Sequence, residues 1–452
     1  MPIQTPRGME DVLPADSWRW EYVEALFRDL AARYGYREIR TPVVEATELF
    51  ERGVGSGTDV VEKEMYTFLD PAGRSLTLRP EGTAGAVRAY IQHHLEQEPG
   101  PVKLYYVGAP MFRYERPQAG RQRQFYQFGV EVLGAGAPTV DAEVVALGVR
   151  FLEALGVEGV RVELNSIGDP VCRPRYREAL LAYYRPLRDR LCQDCQRRLE
   201  RNPLRLLDCK VDRELAAAAP SPRDWLCADC ARHYEEVKRL LGELGVEVVE
   251  NPHLVRGLDY YTRTVFELVS DRLGAQSAVL SGGRYDGLVE GLGGPATPGI
   301  GFAGGMERLL ALLPREGPRA PAEPGADVFV ALVEPERAAE GLAAAERLRA
   351  AGLRVEVELE GRSLKAQMRY ASRRRFRLAL LVGGSEAARG EVTLRDLGDG
   401  RQQAVPWSRL EERLARLATR RAERGAGDPA GFLAALLEDE EGGRGGDERD
   451  DS

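Results

Sequence analysis

Lysine is nearly absent from this chain of 452 residues: of 63 basic side chains only Lys63, Lys103, Lys210, Lys238 and Lys365 carry an ammonium, and the rest are arginines. The planar guanidinium fork suits phosphate and carboxylate better than an ammonium does. A chain-wide excess also follows from genomic composition, however, so only arginines inside motifs are informative. Histidine is scarce too, at His93, His94, His233 and His253, none of them in a chemical motif. That argues against a histidine general base. Long apolar runs are missing, and nothing approaches the roughly 18 residues that cross a bilayer. The first 20 residues, MPIQTPRGMEDVLPADSWRW, hold no apolar block of the kind a signal peptide needs, so a cytoplasmic location with no membrane partner is expected. No Walker A string and no internal repeat occur.

What is present describes a soluble, multi-domain protein. Hydrophobic residues make up 43% and charged residues 30%, and the length accommodates two or three domains with cores of their own. The net charge of -8 at first sight opposes nucleic-acid binding, but it is unevenly distributed. Residues 421–452 hold four arginines against ten acids, residues 326–420 carry 18 basic against 14 acidic side chains, and residues 1–325 carry a net -6.

Residues 17–34 show helical spacing of Trp20, Val23, Ala25, Leu26, Phe27 and Leu30 before Gly35, followed by strand-like EIRTPVVE. From 74 to 133, SLTLRP, KLYYVG and QFYQFGVEVLG read as strands, interrupted by one helix opening near Thr83. Strands in such close succession point to an antiparallel sheet. Helical text fills 139–155 and 173–190, a cysteine-bearing region runs to about 230, and strand-like FELVS, a glycine-rich stretch at 282–305 and a helix at about 305–313 follow. Four prolines in 314–325 mark a linker. Beyond it DVFVALV, a helix at 336–351, RVEVEL, a helix at 362–373, LALLVGG, TLRDL and a helix at 408–420 alternate as in a small α/β domain. The last residues, ending GGRGGDERDDS, read as disordered.

The string G-x-G-x-x-G occurs once, at Gly299–Gly304. It is preceded by loop-like text and lacks the acid expected about 20 residues on, so it does not read as a dinucleotide fingerprint. It reads instead as a glycine-rich strand running into a helix whose first turn carries Glu307 and Arg308. A second cluster lies at 105–134, where strand, loop and strand carry Arg113, Glu115, Arg116, Arg121 and Arg123. Period-two alternation then puts Phe125, Gln127, Gly129 and Glu131 on one face and the apolar Phe128, Val130 and Val132 on the other. With the apolar face serving a core, the polar face calls for a ligand.

FRYE followed by an arginine-bearing loop, together with GIGFAGGMER, resembles motifs 2 and 3 of the class II aminoacyl-tRNA synthetases, and the proline in IRTPVVEATELF resembles motif 1, which builds their dimer. LRPEGTAG (78–85), RGLDYYTRTVFE (256–267), SGGRYDGL (281–288), the opening PRGMEDVLP and the late SLKAQMRYA are similar to motifs of the histidyl-tRNA synthetase family over about residues 1–420. The resemblance implies an α+β fold: an antiparallel sheet flanked by helices in a catalytic domain (1–322), a mostly helical insertion (171–250), an anticodon-binding α/β domain (326–420) and an acidic tail (421–452). It implies a homodimer that joins L-histidine and ATP, with Mg²⁺, into histidyl-adenylate and passes the histidyl group to the 3′ end of tRNA(His).

By the same resemblance Arg113 and Arg308, helped by Arg121, hold the ATP phosphates, Glu115 receives the adenine amino group and Phe125 stacks on the ring. Glu81, Thr83 and Gln127 bind the α-amino group, Glu131 and Tyr261 read the imidazole, and Tyr260 and Tyr285 shape the pocket. Arg256 meets the histidine carboxylate and α-phosphate, while Arg116 and Gln118 contact the acceptor end of the tRNA. These types fit the chemistry: a carboxylate nucleophile is already ionised, so the site must orient two anions and stabilise charge at phosphorus. The alternative is a synthetase-like regulatory subunit of ATP phosphoribosyltransferase, a relative of this fold that typically lacks the anticodon domain and loses motif arginines.

Two features stay open. Cys192-x-x-Cys195 and Cys227-x-x-Cys230 suit either a structural Zn²⁺ held by all four thiolates or reduced, incidental thiols, since the 31 residues between the pairs exceed the usual 15–20. In residues 362–377 seven basic side chains and no acid put 362, 365, 369 and 373 on one helical stripe beside Tyr370. A basic stripe by itself is commonly a solvated face; the resemblance favours RNA.

Overall fold

The computed structural model describes residues 2–55, 57–118, 120–209, 211–273, 277–314, 327–398 and 400–410. The chain divides into two units, Met1–Ala322 and Glu323–Ser452. The strands of the first are β1 (Arg37–Glu38), β2 (Val44–Ala46), β3 (Tyr66–Leu69), β4 (Ser75–Leu78), β5 (Val102–Phe112), β6 (Gln124–Leu133), β7 (Val160–Ser166), β8 (Val248–Glu250), β9 (Thr262–Ser270), β10 (Ala278–Arg284) and β11 (Gly299–Gly305). Eight of them form one sheet in the order β1-β5-β6-β11-β10-β9-β7-β8, and β2-β4-β3 form a small second sheet. The central pairings are antiparallel; the edge pairs β1/β5 and β7/β8 are parallel.

Helix Pro14–Arg33 starts with proline in its first turn, carries Asp16 there and Arg33 in its last turn, and ends before Gly35, whose φ is +80°. Proline is tolerated at a helix start, and both charges oppose the dipole end they occupy. Its buried Val23, Phe27 and Ala31 recur every four residues and face the sheet. Phe27 meets Phe128 of β6 and Phe151 edge-on at centroid distances of 5.2 and 4.8 Å. Phe151 belongs to helix Pro138–Ala154, which is buried on most sides and packs in the same core as Val130 and Val132.

The strand-like EIRTPVVE is not one strand. Its first part joins the large sheet as β1 and its last part the small sheet as β2; Pro42 between them has no N–H for a ladder. The helix expected over 173–190 is α-helical only over Arg173–Tyr184 and continues as a 3₁₀ segment, Arg185–Arg190, with proline near its start. Part of the glycine-rich stretch expected as a loop is β10. At Gly282 a Cβ would stand 2.1 Å from the Gly301 carbonyl oxygen of β11, so glycine permits this close strand approach.

At the end of β10 Arg284 and Asp141 form an ion pair of 2.6 Å with both side chains fully buried. Arg284 also reaches Asp286 at 3.0 Å and the Ala135 and Ala137 carbonyls, each at 3.2 Å, and His233 meets Asp141 at 3.0 Å. This network ties β10 to the start of helix Pro138–Ala154.

In the second unit β12 (Val328–Leu332), β13 (Val355–Val357), β14 (Leu378–Val382), β15 (Glu391–Asp396) and β16 (Gln402–Pro406) take the order β13-β12-β14-β15-β16. The first three are parallel and the last two antiparallel additions. Helices Ala338–Ala350 and Leu364–Arg373 alternate with the strands as expected. The expected helix at 408–420 lies beyond residue 410 outside the described residues, as do most of the linker and the whole acidic tail.

Removing one partner of a fully buried pair strands the other charge, a loss of about 3–5 kcal/mol. Asp141→Ala is therefore expected to lower the unfolding free energy of the first unit by that amount, measured by urea unfolding; an unchanged midpoint would contradict the role of the pair.

Candidate active site

Along β6, Phe128, Val130 and Val132 turn to the helical core, while Phe125 and Gln127 line a cavity on the opposite side. The cavity brings together Glu81, Thr83, Arg113, Glu115, Arg121, Arg256, Tyr260, Tyr261, Tyr285 and Arg308. The strand contributes its polar face because alternation leaves that face away from the core.

Glu131 lies on the same side of β6 but is only 1% exposed. It accepts hydrogen bonds from Thr83 Oγ1 (2.7 Å), Tyr106 Oη (3.3 Å) and the Tyr285 hydroxyl. Burial outweighs these donors and pushes its pKa up to about 8. Gly301 stands across the ladder from Glu131, and a Cβ there would meet the carboxylate at 2.1 Å. Tyr260 packs against Tyr261 and Tyr285 with centroids 4.6 and 5.8 Å apart, walling this end.

Beside it, the Glu81 carboxylate accepts from the amides of Thr83 (2.8 Å) and Ala84 (2.7 Å) in the first turn of helix Thr83–Gln92. Amides at a helix start favour negative charge, yet burial is the larger effect and raises the Glu81 pKa. The buried Oε1 of Gln127 has no hydrogen-bond partner among the described residues. A buried amide oxygen left so suits a ligand N–H.

The arginines surround the other end. Arg113 donates from Nε to the Pro80 carbonyl at 2.9 Å and its guanidinium lies 5.7 Å from the Phe125 ring centroid. Arg121 pairs with Glu115 at 2.7 Å. Arg308 reaches the carbonyls of Gly120 (3.1 Å) and Ala278 (3.0 Å), joining the tip of the 113–124 loop to β10; burial, then repulsion by Arg121, lowers its pKa. Glu307 receives the Tyr126 amide at 2.9 Å and has its pKa pushed by burial to about 7. Arg256 is held by Glu267 and by Ser281 Oγ at 2.6 Å. Arginines and the acids paired with them gather at one end, the buried Glu81 and Glu131 with the phenols lie at the other, and Arg256 stands 5.9 Å from the Tyr261 ring centroid.

The sequence model described as histidyl-tRNA synthetase matches residues 8–170 and 189–309. The chain belongs to the histidyl-tRNA synthetase family. A second model, an anticodon binding domain, matches residues 327–417. Among synthetase relatives, the histidine--tRNA ligase of Desulforudis audaxviator is 54% identical over 419 residues, 92% of this chain and 99% of that protein. That of Moorella thermoacetica is 52% identical over 403 residues, 89% of this chain and 95% of that protein. The crystal structure of apo S. aureus histidyl-tRNA synthetase aligns with a TM-score of 0.77 at 38% identity, covering 91% of this chain and 99% of that one.

Arg116 and Gln118 are exposed on the 113–124 loop and stand outside the cavity lining. Gln118 and Arg121 exchange backbone hydrogen bonds of 3.0 and 2.8 Å that close the loop tip. Tyr106, Glu267 and Ser281 also serve the site, outside the residues expected from sequence. Glu267 and Ser281 stand inside quoted motifs, so that signal was available, but their contact follows from the β9/β10 register. The opening motif serves this loop as well: the Gly8 carbonyl accepts from Arg123 and Gln124 amides at 2.7 and 3.1 Å.

Two expectations need correction. Cys192, Cys195, Cys227 and Cys230 do not form one metal site. Cys192 and Cys195 cluster with Cys209 and Asp212, whereas Cys227 and Cys230 cluster with Asp169 and Cys172; each pair caps its own helix, Gln193–Arg201 or Ala228–Glu243. The basic stripe is also shorter than expected. Arg362 precedes helix Leu364–Arg373 and pairs with Glu358 at 3.0 Å, its guanidinium 4.3 Å from the Tyr370 ring centroid. Lys365, Arg369 and Arg373 remain exposed.

A carboxyl whose pKa rises on folding binds its proton more tightly in the native state. Its stabilising effect is complete below the ordinary carboxylate range and is lost as pH climbs toward about 8. Relative to Glu131→Gln, the wild-type protein should therefore lose stability by up to about 1.4 kcal/mol per pH unit across that window. Paired unfolding curves from pH 5 to 8 measure it, and parallel profiles would refute the shift.

Proposed function

We infer that the protein is a histidine--tRNA ligase of the cytoplasm: it activates L-histidine with ATP and transfers the histidyl group to the 3′ end of tRNA(His). The observation that carries the reading is a single cavity with buried acid, phenols and an unpartnered amide at one end and arginines at the other. Zwitterionic histidine bears an ammonium and an imidazole for the first end, and its carboxylate points to the second. Glu81, Thr83 and Gln127 receive the ammonium, and Glu131 with Tyr261 reads the imidazole in a pocket shaped by Tyr260 and Tyr285. An amino acid without ring N–H groups leaves these buried polar atoms unpaired, which is where discrimination arises.

Phe125 stacks on adenine and Glu115 takes its amino group, while Arg113, Arg121 and Arg308 grip the polyphosphate. The carboxylates at the cavity already have partners in Arg121, Arg256 or backbone amides. Mg²⁺ would accordingly be held by the ATP phosphates beside Arg113, Arg121 and Arg308, where it would supply charge neutralisation. Arg256 lies where carboxylate and α-phosphate meet. Attack by the carboxylate oxygen forms the O–P bond as the bond to pyrophosphate breaks; no proton is removed. In the second step the terminal adenosine hydroxyl of the tRNA attacks the carbonyl carbon, the bond from that carbon to the phosphate oxygen breaks, and AMP leaves as its phosphate or the solvent takes up the hydroxyl proton.

Arg116 and Gln118, exposed on the loop beside the cavity, meet the acceptor end, and Lys365, Arg369 and Arg373 offer phosphate contacts in the anticodon unit. Exposed Val43, Val44, Phe68 and Leu69, in and beside the small sheet, support a homodimer contact. The regulatory-subunit alternative fits less well, because Arg113, Arg256 and Arg308 all face the cavity and residues 327–417 match an anticodon domain.

ATP–pyrophosphate exchange with each amino acid in turn tests the activity: exchange should depend on histidine, and equal exchange with other amino acids would defeat the reading. Arg256→Ala should lower histidine-dependent exchange by about 10²–10³-fold, the usual loss for a group that stabilises transition-state charge, with the circular dichroism spectrum unchanged. Near-normal exchange would remove Arg256 from that role.

A further inference from the structure

We propose that the protein holds two structural zinc ions in and at the edge of the insertion, one bound by Cys192, Cys195, Cys209 and Asp212 and the other by Asp169, Cys172, Cys227 and Cys230. In each group the potential ligand atoms, three sulfurs and a carboxylate oxygen, lie within 4.8 Å of one another. All six cysteines are free thiols. The groups share one plan: a C-x-x-C pair opening a helix is joined by a second x-x pair, Cys209-x-x-Asp212 in one and Asp169-x-x-Cys172 in the other.

The geometry suits the metal. Ligands at the Zn–S distance of about 2.3 Å on a tetrahedron are about 3.8 Å apart, and Cys192 Sγ lies 3.8 Å from Cys209 Sγ. Backbone N–H groups already point at the sulfurs as they do around a bound thiolate: Cys195 to Cys192 at 3.5 Å, Asp212 to Cys209 at 3.4 Å, Cys227 to Cys172 at 3.0 Å and Cys230 to Cys227 at 3.5 Å. Three thiolates and one carboxylate select zinc over magnesium or calcium, which prefer oxygen throughout. Four protein ligands leave no open position, so each ion is structural.

One ion would close the stretch Cys192–Asp212 on itself and the other would join Asp169 and Cys172 to Cys227 and Cys230, more than 50 positions on. Next to one group, Arg173 donates to the Tyr261 carbonyl. In the helix opened by Cys192, Arg198 pairs with Asp59 at 2.7 Å, and Asn202 at its end donates to Asp259 at 2.6 Å. Each zinc braces the insertion against residues that lead into Tyr260 and Tyr261.

Metal analysis of the full-length protein, purified without chelators from zinc-supplemented cells, tests this. Two zinc ions per chain are expected, with one retained in Cys209→Ser and one in Cys172→Ser. Cobalt exchanged into the wild-type protein should give thiolate charge-transfer and tetrahedral d–d bands, a readout that does not need the variants to fold. Zinc-free protein, a disulfide within either group, or a single zinc per chain that both variants retain would each overturn the proposal; the last would return the metal to the site of Cys192, Cys195, Cys227 and Cys230.

Discussion

A carboxyl group buried in the middle of a sheet needs hydrogen-bond donors from its surroundings, and Glu131 draws them from separate elements. Thr83 comes from the first residue of helix Thr83–Gln92, Tyr106 from β5 and Tyr285 from the residue after β10. On the remaining side β11 must present a backbone without a side chain, which Gly301 supplies. A register shift in any of these strands would replace a donor with an apolar group or drive a Cβ into the acid. The core behind β6 keeps the register, because Phe128, Val130 and Val132 interlock there with Phe27, Phe151 and Phe302.

The cationic end follows a different rule. Its arginines would repel one another if free, and each is fixed before any ligand arrives, by carbonyl oxygens for Arg113 and Arg308 or by acids for Arg121 and Arg256. Fixed cations stabilise developing charge without reorganising during the reaction. The 113–124 loop that carries two of them is held from outside the sheet, by Arg308 at its tip and the Gly8 carbonyl at its base. Placement of the nucleotide end therefore depends on residues nearly 300 positions apart in the chain.

Much of this was legible from residues alone. The alternation in QFYQFGVEVL assigned a core face and a ligand face to β6, and both assignments agree with the observed packing. The glycines near 300 read as a strand entering a helix, and they are one. The reading failed where a local pattern had several long-range completions. The two C-x-x-C pairs left open a shared metal site or incidental thiols; the chain path instead gives each pair its own third cysteine and an aspartate. Gly282 and Gly283 suggested a loop because strand glycines are normally unfavourable, and only the neighbouring β11 backbone explains them. Arg362 belonged to a basic stripe by spacing, but the turn before the helix delivers it to Glu358.

Sequence by itself determined which face of β6 is apolar, the strand-to-helix passage near residue 305, the motif order that marks the family, and the segregation of charge that sets residues 326–420 apart from the acidic tail. These depend on periods of two or 3.6 residues and on side-chain types, which are local properties. Tertiary structure decided which polar groups meet: Glu131 with Tyr106, Arg256 with Glu267, Arg284 with Asp141, and six cysteines in two groups and not one. Contacts of that kind are set by strand register and chain path, and many sequence-distant partners satisfy the same local pattern until packing selects one.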